Sequence, residues 1–283
     1  MIGAFNVIEL ATFPAFGTWS TTLPLANLQN RTQGIVARST AATTASTKFR
    51  MTFSAARVVR IIALCNHNLS SAATVTIKAY SDSGYTTQVY TSGAVSAWPT
   101  SYTAAGKTGW DDPSPSDRAY TTLEKEYMNW THIQILSPAQ EQQYFQVEIN
   151  DTGNADGYVQ IGRVFIGQAW QPTHNFDFGV SIKHEDTSII QEAIDGTEYF
   201  YRKYPTRVAR FGLNHLNEEE AYQSAYEILR KSGNSGEVLF IYDSADTTHK
   251  LRRSFIGRMK ELSAIENINY GLFGSTFEIK ELL

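Results

Sequence analysis

The sequence predicts a mainly β protein in two parts: an N-terminal β-sandwich or jelly roll over residues 1–170, and a C-terminal β-sheet domain over residues 171–283 with one packed helix. Three observations predict it. Short runs that alternate apolar and polar residues, or stay apolar, recur between Gly, Asn, Asp and Ser turns. Charge is sparse before Trp170 and dense after it: 11 basic and 11 acidic residues among the first 170, against 13 and 17 among the remaining 113. Only one stretch repeats with a helical period.

In the first part, Thr47 to Phe53 and Ala73 to Tyr80 alternate, and Arg57 to Leu64 is apolar enough for a central strand. Further strands are expected at His132 to Leu136, Tyr144 to Ile149 and Tyr158 to Ile166. The turns at 66–71, 81–84 and 150–157 use residues that tolerate positive φ or bond their own backbone. Residues 91–130 interrupt this pattern as one long insertion, of a length that is usually functional or mobile.

In the second part, strands are expected at Val180 to Lys183, Glu198 to Lys203, Thr206 to Leu213, Val238 to Tyr242, Arg252 to Met259 and Ser275 to Lys280. The helix is expected over 218–231. Asn217 is its N-cap, Glu220 completes something like a capping box, and Gly233 ends it. Ala221, Ala225, Ile228 and Leu229 form the face that packs on a sheet, with Tyr222 and Tyr226 beside it.

Composition excludes several classes. At 283 residues, 42% apolar and 18% charged, the chain can bury a large core and is not disordered. A net charge of −4 gives no general footprint for nucleic acid, so no sequence-specific nucleic-acid binding is expected. One cysteine, Cys65, in an apolar run, excludes a disulfide framework and a Cys-rich metal site. The first nine residues contain an acid and no Lys or Arg, unlike a signal peptide, and the charge-free run from Leu10 to Asn30 is too broken by Pro, Gly, Ser and Thr to span a membrane. A soluble protein made in a cytoplasm is expected.

Searches for chemistry return little. The six histidines include no pair at metal-binding spacing, and His184-Glu185-Asp186-Thr187-Ser188 has Ser where a second ligand would stand. Gly106-Lys107-Thr108 lacks the first glycine of a phosphate loop, and neither a dinucleotide fingerprint nor a nucleophile elbow is present. Asp151, Asn154 and Asp156 could hold calcium but fit better as a hairpin turn, because an EF-hand register would place Thr152 and Arg163 at ligand positions. Glu124 and Glu126 are the only acids of the insertion whose spacing lets them share a strand face; a solvated loop is the simpler reading. No enzyme, cofactor or metal is therefore expected.

Two groups remain as candidates. Trp98, Tyr102, Trp110, Tyr120 and Trp130 could form a local core for the insertion, a protein interface, or a stacking platform for a glycan. Arg252, Arg253, Arg258 and Lys260, with Lys250, cluster as a basic patch, either a solvated strand face, an inward-facing channel or a salt-bridge surface between subunits.

The run Val58-Val59-Arg60-Ile61-Ile62-Ala63-Leu64-Cys65-Asn66-His67-Asn68-Leu69, the strand from Ala73 to Asp82, and the segment from Gly157 to Gly167 resemble phage structural proteins with a discoidin-like, galactose-binding-type jelly roll. The remainder, with Gly196, the strand from Arg207 to Leu213, the capped helix, Val238 to Asp243 and Ser254 to Gly257, resembles the sheet-plus-helix ring domain of tail tube and distal tail proteins. About half of the chain carries the likeness. The familiar distal tail proteins place the ring domain first, whereas here it comes second. The resemblance implies a virion structural protein of a bacteriophage tail, a tail-tip or baseplate component. Its expected partners are a hexameric or trimeric ring of its own copies and the tube, hub or fibre proteins. A tail adhesin that binds a host receptor or surface glycan is the alternative it leaves open.

Overall fold

The computed structural model describes residues 1–98, 130–246 and 248–283. The chain forms two compact units: Asn6–Ala169 with Ile241–Ser254, and Met1–Phe5 with Trp170–Phe240 and Phe255–Leu283. Strands are numbered along the chain from β1 (Ile2–Ala4).

The larger unit holds β2 (Ala37–Arg38), β3 (Phe49–His67), β4 (Thr74–Tyr80), β5 (Gln88–Thr91), β6 (Val95–Ser96), β7 (Thr131–Asn150) and β8 (Gln160–Trp170). They pair antiparallel in the order β5, β4, β7, β3, β8, with β6 also on β4 and β2 on β8. The two alternating runs expected as separate strands at 47–53 and 57–64 are one strand, β3, and those at 132–136 and 144–149 are one strand, β7. A change of face explains the difference. Phe49, Met51 and Phe53 point into the core at odd positions, whereas Ile62 and Leu64 do so at even ones. The ladder shifts register between Thr52 and Arg57 and again between Val59 and Ile61. An added residue at such a bulge turns every later side chain over, and the bulged strand bends. Along β7 the inward set likewise passes from Leu136 to Phe145, Val147 and Ile149. One hydrophobic core thus spans the full length of both strands, with Val75 and Ile77 of β4 and Val164 and Ile166 of β8.

The smaller unit is a second antiparallel sheet beside one helix. Its strands are β1, β9 (Ser181–Glu185), β12 (Thr206–Leu216), β13 (Glu237–Phe240), β14 (Phe255–Glu261), β15 (Glu266–Asn269) and β16 (Leu272–Glu281). The order is β1, β13, β14, β16, β12, β9, with β15 also on β16. Between β9 and β12 the chain makes a separate two-stranded ribbon, β10 (Ile189–Glu192) and β11 (Glu198–Tyr201). The expected strand from Arg252 to Met259 is divided: Lys250–Arg253 is a short helix, α2, and only Phe255–Glu261 is extended.

The helix begins with two α-helical residues, 218 and 219, passes through a π-helical turn at Glu220–Ala225, and continues as α1 (Tyr226–Ser232). Asn217 Oδ1 accepts the Glu220 N–H at 2.8 Å, as an N-cap should. Glu220 does not complete a capping box. Its carboxylate accepts the Thr173 N–H at 2.7 Å instead. Ala221, Ala225, Ile228 and Leu229 are buried, and Tyr222 and Tyr226 are about half exposed. Asn217→Ala is expected to cost about 1 kcal/mol and Asn217→Gly only a few tenths, read by urea unfolding.

Inside the smaller unit, Phe211 stacks on Phe240 at 5.2 Å and on Phe277 at 5.5 Å. Beside them lies a buried ion pair. Glu281 Oε2 accepts both the Arg207 backbone N–H and Nε–H at 2.9 Å, and Oε1 takes Nη2. The guanidinium also sits over Phe255 at 5.0 Å.

Candidate functional site

Of the five aromatic candidates, the structure describes two, and both are core residues rather than an exposed platform. Trp98 and Trp130 are 6% and 7% exposed, with ring centroids 4.9 Å apart. Trp98 meets His67 edge-on at 5.4 Å and donates Nε1–H to the Leu69 carbonyl at 2.8 Å. These two tryptophans stand at the ends of the stretch 99–129, so the chain leaves and re-enters the core at one place. Tyr102, Trp110 and Tyr120, like Glu124 and Glu126, lie outside the described residues.

The basic candidates fall in two units. Arg252 and Arg253 belong to the larger unit, where Arg253 lies over the Tyr242 ring at 5.2 Å and reaches Asp246 at 3.7 Å. Arg258 and Lys260 belong to the smaller unit. Arg258 donates to the Asn234 and Met259 carbonyls, and Lys260 pairs with Glu278 at 3.0 Å. Arg252 and Arg253 lie in the α2 turn, where a strand was expected, and Arg258 and Lys260 lie in β14.

The acid and amide residues of the 150–157 turn are joined to the Asn-His-Asn-Leu turn by hydrogen bonds that fill the oxygens a cation would need. Asp151 accepts from the Ser70 N–H and hydroxyl and from Asn154 Nδ2. Asn68 accepts the Gln160 N–H at 2.7 Å and donates to Asp156 and to the Tyr158 carbonyl. Among the described residues no group of three or more metal-ligating side chains converges. Both turns are structural.

Next to the tryptophans, His132 is wholly buried, with Nδ1 3.3 Å from the Ala97 carbonyl and Nε2 3.3 Å from Gln134 Oε1. Burial holds its pKa down to about 4. The folded chain therefore refuses a proton that the unfolded chain accepts below about pH 6.5. The stability this group provides is complete above that pH and is lost progressively as pH falls toward 4, about 3 kcal/mol in all. Urea unfolding at pH 7 and pH 4.5 should show a smaller acid loss in His132→Phe than in the wild type.

Two surfaces remain that sequence reasoning did not single out. The first is a groove of about 610 Å³ in the larger unit, lined by Phe13, Phe16, Trp19, Pro24, Leu25 and Gln29 among others. Its loop is held close to β3. Trp19 donates Nε1–H to the Lys48 carbonyl at 3.0 Å, and Gly17, at φ +75°, passes where a Cβ would meet that same oxygen at 2.2 Å. Lys48 Nζ and Arg50 lie over the Phe16 ring at 4.4 and 3.8 Å. The groove is therefore lined by aromatic rings, and Phe16 among them is covered by Lys48 and Arg50. The charge-free run Phe13-Pro14-Ala15-Phe16-Gly17-Thr18-Trp19 carries its signal in the sequence.

The second is the β10–β11 ribbon. Ala193 and Thr197 close it, the Gly196 N–H bonds the Ala193 carbonyl, and Gly196 takes φ +81°. Ile189, Ile190, Tyr199, Phe200 and Tyr201 are each about half or more exposed. Ile189, Gln191, Tyr199 and Tyr201 share one face, and Ile190 and Phe200 share the other with Glu192 and Glu198. Apolar side chains thus stand in solvent on both faces. In the sequence only Glu198 to Lys203 reads as a strand, because Ile189-Ile190 is too short a run to show a period.

No family model and no curated protein matches the chain. Solved structures similar to it include CBM32-1 from a family 31 glycoside hydrolase of Clostridium perfringens, at 12% identity and a TM-score of 0.37, over 58% of this chain and 97% of that one. Another is CBM32 of AlyQ in complex with 4,5-unsaturated mannuronic acid, at 14% identity and 0.35, over 59% and 98%. A truncated AlyQ with CBM32 and alginate lyase domains matches at 12% and 0.33, over 76% and 49%. None of the three is described as a tail protein. Among the described residues no helix is long and apolar enough to cross a membrane.

Proposed function

We propose that the chain is a structural protein of a bacteriophage tail, a distal-tail or tail-tip ring component that joins the tube to tip proteins or fibres. The β10–β11 ribbon carries this reading. A two-stranded ribbon is marginal in water by itself, and one that is apolar on both faces has nothing to gain from solvent, so it is built to be covered by another chain. A self-assembling scaffold has that need, and an isolated binding module does not. On this reading the protein is made in the host cytoplasm, works in the virion and is not an enzyme. Mass spectrometry of purified particles with electron microscopy of labelled tails tests it. The chain should appear in the tail, and its absence from particles, or a place outside the tail, would end the reading.

The groove favours a second reading, a receptor- or glycan-binding tail adhesin, because its lining of Phe13, Phe16 and Trp19 offers aromatic surface to a sugar. Calorimetric titration with host envelope polysaccharide should then show binding that Phe16→Ala weakens at least about tenfold. No heat at millimolar sugar would remove it.

A further inference from the structure

We infer that the β10–β11 arm of one copy docks on the β9–β12 sheet face of a second copy, with Glu192 and Glu198 of the arm meeting Lys183 and Arg210 of the neighbour. This rests on the reading of the chain as a self-assembling structural protein and names the surface that its arm takes.

Two sets of like charges point to the match. Glu192 and Glu198 are cross-strand partners, directly opposite each other at the outer end of the arm. Like charges so placed destabilise a ribbon. Among the described residues neither has an ion pair, and no Lys or Arg occurs from Ile189 to Tyr201. Lys183 and Arg210 lie on one face of neighbouring strands, since Lys183 pairs with Val208 and Ser181 with Arg210. The carboxylates near them are already held. Glu185 lies 3.4 Å from Lys280 and 3.7 Å from Lys260, and Glu278, opposite Arg210, lies 3.0 Å from Lys260. Glu261 stands opposite Glu278 one strand further on. Lys183 stands near enough to Glu185 to help lower its pKa, but neither Lys183 nor Arg210 forms an ion pair among the described residues.

The same chain does not bring these groups together. β9 leads into β10, and β11 leads into β12, so the arm runs outward from the strands that carry Lys183 and Arg210. Lys183 and Glu192 are nine residues apart in the chain, and no ion pair joins them among the described residues. A second copy removes the obstacle, because the end of one arm can reach the base of another. Ile190 and Phe200, on the same face as the two glutamates, are then buried in the same event. If the match is reciprocal it closes a two-fold pair, and if it runs head to tail it builds a ring.

Sedimentation velocity of the full chain over a concentration series tests the inference. Wild type should assemble, and both Glu192→Lys/Glu198→Lys and Lys183→Glu/Arg210→Glu should lose association by about tenfold or more. An equimolar mixture of the two variants should regain it, a rescue that damaged folding cannot produce. Circular dichroism of each variant should match the wild type, since all four positions are exposed. If both variants assemble like the wild type, the docking surface is wrong while self-assembly stands. If the wild type is monomeric at the highest concentration reached, the docking inference falls, and the particle experiment alone decides the tail reading.

Discussion

Glu281→Ala is expected to lower stability by about 3–5 kcal/mol, the largest loss we anticipate from a single deleted carboxylate. The Arg207 and Glu281 side chains are 3% and 4% exposed. The carboxylate receives the guanidinium at two of its nitrogens and the Arg207 backbone N–H as well. Removing it takes its carboxylate partner from a buried guanidinium and the acceptor from a backbone donor. The Phe255 ring beneath the guanidinium offsets little of that. Arg207→Met/Glu281→Leu should recover most of the loss, because exchanging a whole buried pair for packed apolar groups is close to neutral. Urea unfolding of the three chains gives the comparison. A loss below about 1 kcal/mol in the single variant, the worth of an exposed pair, would mean that water reaches it.

Trp98→Ala should cost a similar amount, about 3–5 kcal/mol, through a cavity beside His67 and Trp130 and an unbonded Leu69 carbonyl. Trp98→Phe should cost less, because it keeps much of the ring volume and gives up the hydrogen bond. The prediction separates core from platform. A surface stacking residue would lose ligand affinity and leave the unfolding midpoint where it was.

Elements whose signals are local were legible in the sequence. The helix from 218 was found with its Asn217 cap and buried face because capping and a 3.6-residue period need only near neighbours. Its Glu220 was misassigned because the true partner, Thr173, lies 47 residues away. Strands β3 and β7 were found in halves, since a bulge resets the alternation that reveals a strand and nothing local says that the chain continues. Composition alone could not tell whether Trp98 and Trp130 faced inward or outward, because both placements use the same residue. The basic cluster divides between elements that the sequence read as one strand. Arg253 and Arg258 are five residues apart in the chain, but Arg253 ends the α2 turn in one unit and Arg258 stands in β14 of the other.

The meeting of Trp98 and Trp130 also bears on how such a chain can vary. Trp98 and Trp130 flank the stretch from 99 to 129 and meet through their rings at 4.9 Å. Whatever sequence runs between them, its entry and exit are already fixed side by side. That junction is a clasp that closes the core where the stretch begins and ends.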